Sequence, residues 1–141
     1  MVCLGNICRS PLAEGILRSK CNTFIVDSAG TASYHVGKAP DYRAIHIAKK
    51  NGIDISELKA RQFSINDFEK FDLIFAMDTY NYKDILNLAK SNEHKKKVFL
   101  ILDILNQPNQ NIPDPYYGED EGFNKVFNLL KKACNEIIKK Y

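Results

Sequence analysis

Short apolar-rich runs separated by amphipathic stretches set the pattern of this chain. TFIVDSAG (23–30), DLIFAMD (72–78) and KVFLIL (97–102) each concentrate β-branched and aromatic residues over a few positions, which predicts buried strands. SPLAEGILRSKC (10–21) has helical spacing: Ser10 can cap it, Pro11 suits its first turn, and Leu12, Ile16 and Leu17 share a face. PDYRAIHIAKKNG (40–52) reads as a second helix, with Pro40 near its start and Gly52 at its stop. INDFEKF (65–71) predicts a shorter helix, and TYNYKDILNLAK (79–90) a longer one. Asp41 and Asp78 stand where helix-start or loop residues belong. NIPDPYYGED (111–120) is rich in turn formers. Beyond it Phe123, Val126, Phe127, Leu130, Cys134, Ile137 and Ile138 form the apolar stripe of a long amphipathic helix.

Strands alternating with helices argue for a parallel sheet covered on both faces. The expectation is one three-layer α/β domain over residues 1–141, with a central four-stranded parallel sheet. Only Met1, Val2 and Cys3 precede the first loop. A central strand takes about five residues, so the sequence is expected to lack a few native N-terminal residues. The length of 141 residues suits one core, and 45% hydrophobic with 26% charged residues is an ordinary globular composition. No run is long and apolar enough to span a bilayer, and nothing reads as a secretory leader, so the expectation is a cytoplasmic protein without membrane contact. The net charge of +3 is mild. Basic clusters such as HKKK (94–97) read as a solvated face rather than a nucleic-acid groove. The four cysteines (Cys3, Cys8, Cys21, Cys134) and three histidines lack ligand spacing, so neither a disulfide framework nor a metal is expected.

The chemistry is concentrated in MVCLGNICRSP. If Cys3 ends a strand and a helix begins near Ser10, the backbone between must wrap tightly, and Gly5 and Asn6 tolerate such conformations. Successive N–H groups of Leu4, Gly5, Asn6, Ile7, Cys8, Arg9 and Ser10 would form an anion nest, helped by the helix N-terminus. Arg9 supplies a planar fork for two oxygens of a tetrahedral anion. The same field favours the thiolate of Cys3. Cys8 either fills the loop or forms a reversible disulfide with Cys3; both readings stand.

The spacing from Cys3 to Arg9 is C-x5-R, and the string CLGNICRSP resembles the signature of the low molecular weight protein tyrosine phosphatases. VDSAGT (26–31), FDLIFAMD (71–78) and DPYYG (114–118) resemble further segments of that family, in order along the chain. The resemblance implies a metal-free, cofactor-free phosphoric monoester hydrolase acting on phosphotyrosine through a cysteinyl-phosphate. Cys3 would be the nucleophile, Arg9 the phosphoryl-binding group and Asp114 the general acid. Ser10 would bond the sulfur, Asn6 would hold the loop in shape, and Ser28 would support Asn6. Tyr34, Tyr116 and Tyr117 would wall a phenyl slot. Expected partners are a phosphotyrosine protein or small aryl phosphate, with phosphate, sulfate or vanadate as anion ligands. Two positions depart from the family pattern. Tyr34 stands where Trp is frequent, and Leu58-Lys59 stands where many members carry a His that supports the loop.

A thiol-dependent arsenate reductase on the same fold is the alternative enzyme. It needs relay cysteines, and none lies between Cys21 and Cys134. A phosphotyrosine-binding pseudoenzyme is the alternative binding module; an intact Cys3, Arg9 and Asp114 argue against it.

Overall fold

The computed structural model describes residues 1–141. Four short strands, β1 (Val2–Cys3), β2 (Ala29–Gly30), β3 (Ile74–Ala76) and β4 (Val98–Leu100), form a wholly parallel sheet in the order β2-β1-β3-β4. Val2 pairs with Ala29 on one side and Ala76 on the other, and Ile74 with Val98. Alternation along the strands then sorts the side chains. Val2, Ile74, Ala76, Val98 and Leu100 pack on one face with Phe63, Phe68 and Ile85. Cys3, Phe75, Met77 and Ile101 join the larger core on the opposite face.

That larger core is built by α1 (Arg9–Lys20), α2 (Tyr42–Lys50) and α6 (Asp120–Lys140). The smaller face is covered by α3 (Asp67–Lys70) and α4 (Thr79–Leu88). The expected three-layer α/β architecture is therefore present. No helix is long and apolar enough to cross a membrane.

Two strand expectations need correction, and one short helix was not foreseen. The strand expected over 23–30 is regular only at Ala29–Gly30. Before Ala29 the one bond to the neighbouring strand is from the Met1 amino group to the Asp27 carbonyl at 3.0 Å, and Ile25 is left in solvent. The strand expected over 97–102 stops at Leu100, and Ile101–Leu105 tightens into a 3-10 helix closed by Asn106 in the left-handed region. A short helix, α5 (Asn92–Lys96), lies within the basic stretch and is capped by the Ser91 side chain. As expected, Asp41 and Asp78 are N-caps, accepting from the N–H of Arg43 and Asn81 respectively.

Candidate active site

The order β2-β1-β3 makes the chain leave β1 toward α1 while β3 lies on its other side. The crevice at the carboxyl ends of β1 and β3 is the place where open parallel sheets bind ligands. The loop from Cys3 to Arg9 sits there. Asn6 takes φ +57°, the left-handed conformation that turns the loop on itself. Gly30, at the end of β2, lies directly behind it: a Cβ placed there would stand 2.7 Å from the carbonyl oxygen of Leu4 and 3.1 Å from the Asn6 nitrogen. Only a glycine lets the loop backbone approach this closely. The N–H groups of Leu4, Gly5, Ile7 and Cys8 find no acceptor within the protein. They form a run of free donors along one tight turn, the arrangement that binds anions.

Cys3 is buried beneath this loop. Its Sγ lies 3.0 Å from Ser10 Oγ and 3.3 Å from the Asn6 N–H that donates to it. A polar chain behind the sulfur fixes the direction of these bonds. Asn6 Nδ2 donates to Ser10 Oγ at 2.8 Å and to Ser28 Oγ at 2.9 Å. Ser28 in turn donates to the carboxylate of Glu14 at 2.5 Å. The Arg61 N–H donates to Asn6 Oδ1 at 3.0 Å, which sets the amide orientation. With Asn6 as donor to Ser10, the Ser10 hydroxyl hydrogen faces two acceptors, Cys3 Sγ at 3.0 Å and the Ala29 carbonyl at 3.4 Å. The loop support missing at Leu58-Lys59 thus comes from the Arg61 backbone, whose side chain is held by Asp27 and Asp67. Burial pushes the Glu14 carboxyl above its usual range, partly offset by Ser28 and Arg18.

Arg9 is also buried, at 2% exposure, and its fork is engaged on both edges. Nη1 donates to Asp78 Oδ2 at 2.6 Å and to the Ile112 carbonyl at 3.0 Å. Nη2 lies 3.4 Å from Asp114 Oδ2. Asp78, the cap of α4, is therefore also the anchor of Arg9. Asp114 is the more exposed of the two carboxylates, its side chain 39% accessible against 14% for Asp78. Every residue that the sequence pattern assigned to catalysis and loop support lies within this one cluster.

The aromatic residues form its rim. The Tyr116 and Tyr117 rings meet edge to face with centroids 4.9 Å apart, and Tyr117 is almost wholly exposed. Tyr34, also exposed, reaches Tyr116 only through His35, whose ring centroid lies 6.4 Å from Tyr34 and 6.2 Å from Tyr116. His35 packs against the Cys3–Arg9 loop itself: a Cβ on Gly5 would stand 3.0 Å from His35 Cδ2. Cys8 is buried in the larger core, and burial, followed by the charge of Asp41, pushes its thiol up. All four cysteines are free.

Sequence reasoning missed Glu14, Arg61, His35 and the second role of Asp78. A signal for Glu14 was available. Ser10, Glu14 and Arg18 recur every four residues, which places them on one face of α1. For His35 and Arg61 no local pattern exists, because both reach the loop across the fold.

The model of the low molecular weight phosphotyrosine protein phosphatase family matches residues 1–141. The chain belongs to this family. A low molecular weight phosphotyrosine protein phosphatase of Schizosaccharomyces pombe is 41% identical over 98% of the chain and 92% of its own length. A protein tyrosine phosphatase of Entamoeba histolytica, solved with Hepes in its active site, superposes with a TM-score of 0.91 at 39% identity, covering 99% of this chain and 92% of that one. Vibrio vulnificus Wzb, solved with benzylphosphonate, gives 0.91 at 32% identity over 99% of this chain and 95% of its own. The chain is accordingly a hydrolase, a protein-tyrosine-phosphatase of the low molecular weight class.

Proposed function

We propose that the protein hydrolyses phosphotyrosine and small aryl phosphates through a cysteinyl-phosphate. In the first step Cys3 Sγ attacks phosphorus in line, forming the S–P bond as the P–O bond to the phenol breaks. Asp114 gives its proton to the departing oxygen. In the second step water attacks phosphorus, Asp114 takes a proton from it, and the S–P bond breaks to release inorganic phosphate. Arg9 and the free N–H groups of the loop bind the three phosphoryl oxygens that share charge in both transition states. Asp78 holds Arg9 in register, and Asn6, Ser10 and Ser28 hold the sulfur and loop. Tyr34, Tyr116 and Tyr117 flank the phenyl ring.

The observation that carries this reading is the convergence of Cys3, Arg9 and Asp114, with Arg9 Nη2 3.4 Å from Asp114. Hepes in the active site of the Entamoeba histolytica enzyme, and the complex of Vibrio vulnificus Wzb with benzylphosphonate, support an anion in this site. A cytoplasmic setting belongs to the reading, since four free cysteines suit a reducing compartment. The arsenate-reductase alternative has no support among the relatives, and Cys134 is fully buried in α6 rather than available as a relay.

Steady-state rates on a phosphotyrosine peptide and on p-nitrophenyl phosphate test the reading. Cys3→Ser should abolish turnover of both. In kcat/KM, which reports the phenol-expelling step, Asp114→Ala should cost about 10²–10⁴-fold on the peptide and far less on p-nitrophenyl phosphate, whose leaving group departs unaided. Retained activity in Cys3→Ser, or equal kcat/KM losses on both substrates in Asp114→Ala, would contradict it.

A further inference from the structure

The loop that carries Asp114 has no regular secondary structure. On its N-terminal side it is tied to the sheet: the Ile112 N–H donates to the Met77 carbonyl at 2.8 Å, and Asn111 Oδ1 accepts from Thr79. On its C-terminal side the bonds within 114–122 are local ones, Tyr116 N to Asp114, Gly118 N to Pro115 and Gly122 N to Glu119. Apart from the Asp114–Arg9 contact itself, one residue joins residues 113–119 to another element by hydrogen bonds. That residue is Arg43, in the first turn of α2. Its Nη2 donates to the Tyr116 carbonyl at 2.8 Å and its Nη1 to the Gly118 carbonyl at 2.9 Å.

Arg43 is itself immobilised. Its Nε and Nη2 each donate to one oxygen of Asp41 at 3.0 Å, a bidentate pair. The guanidinium lies 4.6 Å from the centre of the Phe123 ring of α6 and 5.9 Å from that of Tyr116. Asp41 is fixed at its other end, because its N–H donates to the carbonyl of Ile7, within the phosphate loop, at 2.8 Å. A continuous path of bonds thus runs from Ile7 through Asp41 and Arg43 to Tyr116 and Gly118.

We propose that the Asp41–Arg43 pair is a clamp that sets the position of Asp114 relative to the phosphate loop, with Arg43 a positioning residue for proton transfer to the leaving group. This rests on the assignment of Asp114 as the acid in the proposed function. Asp114 must meet the leaving oxygen of a phosphate whose place is set by the Cys3–Arg9 loop. Two independently mobile loops would hold that distance poorly. A shared brace makes it a property of the fold, and displacement of a reacting group by about 1 Å costs on the order of 10²-fold in rate. Lysine can replace arginine here only in part, since one ammonium cannot form the bidentate pair and reach both carbonyls.

The test measures kcat and KM for phenyl phosphate and p-nitrophenyl phosphate in wild type, Arg43→Met, Asp114→Ala and the double variant. Methionine keeps an apolar stem against Phe123 and removes every donor. Arg43→Met should lower kcat/KM about 10- to 100-fold on phenyl phosphate and much less on p-nitrophenyl phosphate. Inhibition by vanadate should stay within about 2-fold, because uniform binding is untouched. In the Asp114→Ala background the same change should add less than about 2-fold, the mark of two groups acting through one step. Arg43→Lys should recover part of the loss, and it carries the comparison if Arg43→Met does not fold by circular dichroism. Equal kcat/KM losses on both esters, weakened vanadate binding, or kcat/KM losses that multiply in the double variant would overturn the clamp. Equal leaving-group dependence in wild type and Asp114→Ala would instead overturn the assignment of the acid, and the clamp's purpose with it.

Discussion

At the scale of single residues, the two loop cysteines have opposed environments. Cys3 receives the Asn6 N–H and lies 3.0 Å from the Ser10 hydroxyl, whereas burial and the Asp41 charge push the Cys8 thiol up. The reactive partner in any oxidation is therefore Cys3. We propose that peroxide converts the Cys3 sulfur to a sulfenic acid, releasing water, and that the Cys8 thiol then displaces the second water to close a disulfide. A protonated, buried resolving thiol makes the second step slow. Mild peroxide followed by peptide mapping should show a Cys3–Cys8 bond that dithiothreitol reverses with recovery of activity. Progression of Cys3 to sulfinic acid with Cys8 still free would show that Cys8 does not protect it.

At the scale of elements, α1 carries the support of the site on one face. Ser10, Glu14 and Arg18 lie one turn apart, so the helix that begins at Arg9 also delivers the far end of the chain Cys3–Ser10–Asn6–Ser28–Glu14. The terminal acceptor of that chain is a buried carboxyl, and its burial has a measurable cost. Because the folded state holds Glu14 above its usual range, the folded state binds its proton more tightly than the unfolded chain does. Its contribution to stability is complete below the unfolded pKa of about 4.3 and is lost as pH rises through the folded value. Asp41 has the opposite sign. Its bonds with Arg43 hold it below its usual range, so its contribution is present at neutral pH and is lost on acidification through the lowered value. Urea midpoints measured from pH 4.5 to 8 should therefore fall less steeply with pH in Glu14→Gln than in wild type. Identical slopes would show that Glu14 does not titrate in this window. The sequence pattern disclosed α1, α4 and α6 through their periodicity and the Cys3–Arg9 loop through its spacing. It overstated the strand at 23–30, because apolar content does not reveal whether a neighbouring strand is there to bond. It could not disclose the brace at Arg43, since nothing in PDYRA states which carbonyls, some 75 residues onward, the guanidinium will reach.

At the scale of the whole molecule, the parallel sheet brings residues from five separate stretches of chain to one edge: Cys3 to Ser10, Ser28 to His35, Asp41 to Arg43, Asp78, and Asp114 to Tyr117. Each of these stretches follows or faces the carboxyl end of the sheet, where helix starts and strand ends leave backbone donors free. Gly30 marks how closely two of them must pack. The central claim is that phosphate is transferred to Cys3 before it reaches water. Acid quench within the first turnover of p-nitrophenyl phosphate, followed by mass spectrometry of the N-terminal peptide, tests it most directly. Wild type should carry phosphate on Cys3, Cys3→Ser should carry none, and Asp114→Ala should accumulate more because the water-attack step loses its base. Turnover by wild type without any phosphocysteine, or phosphate found on another side chain, would contradict the account.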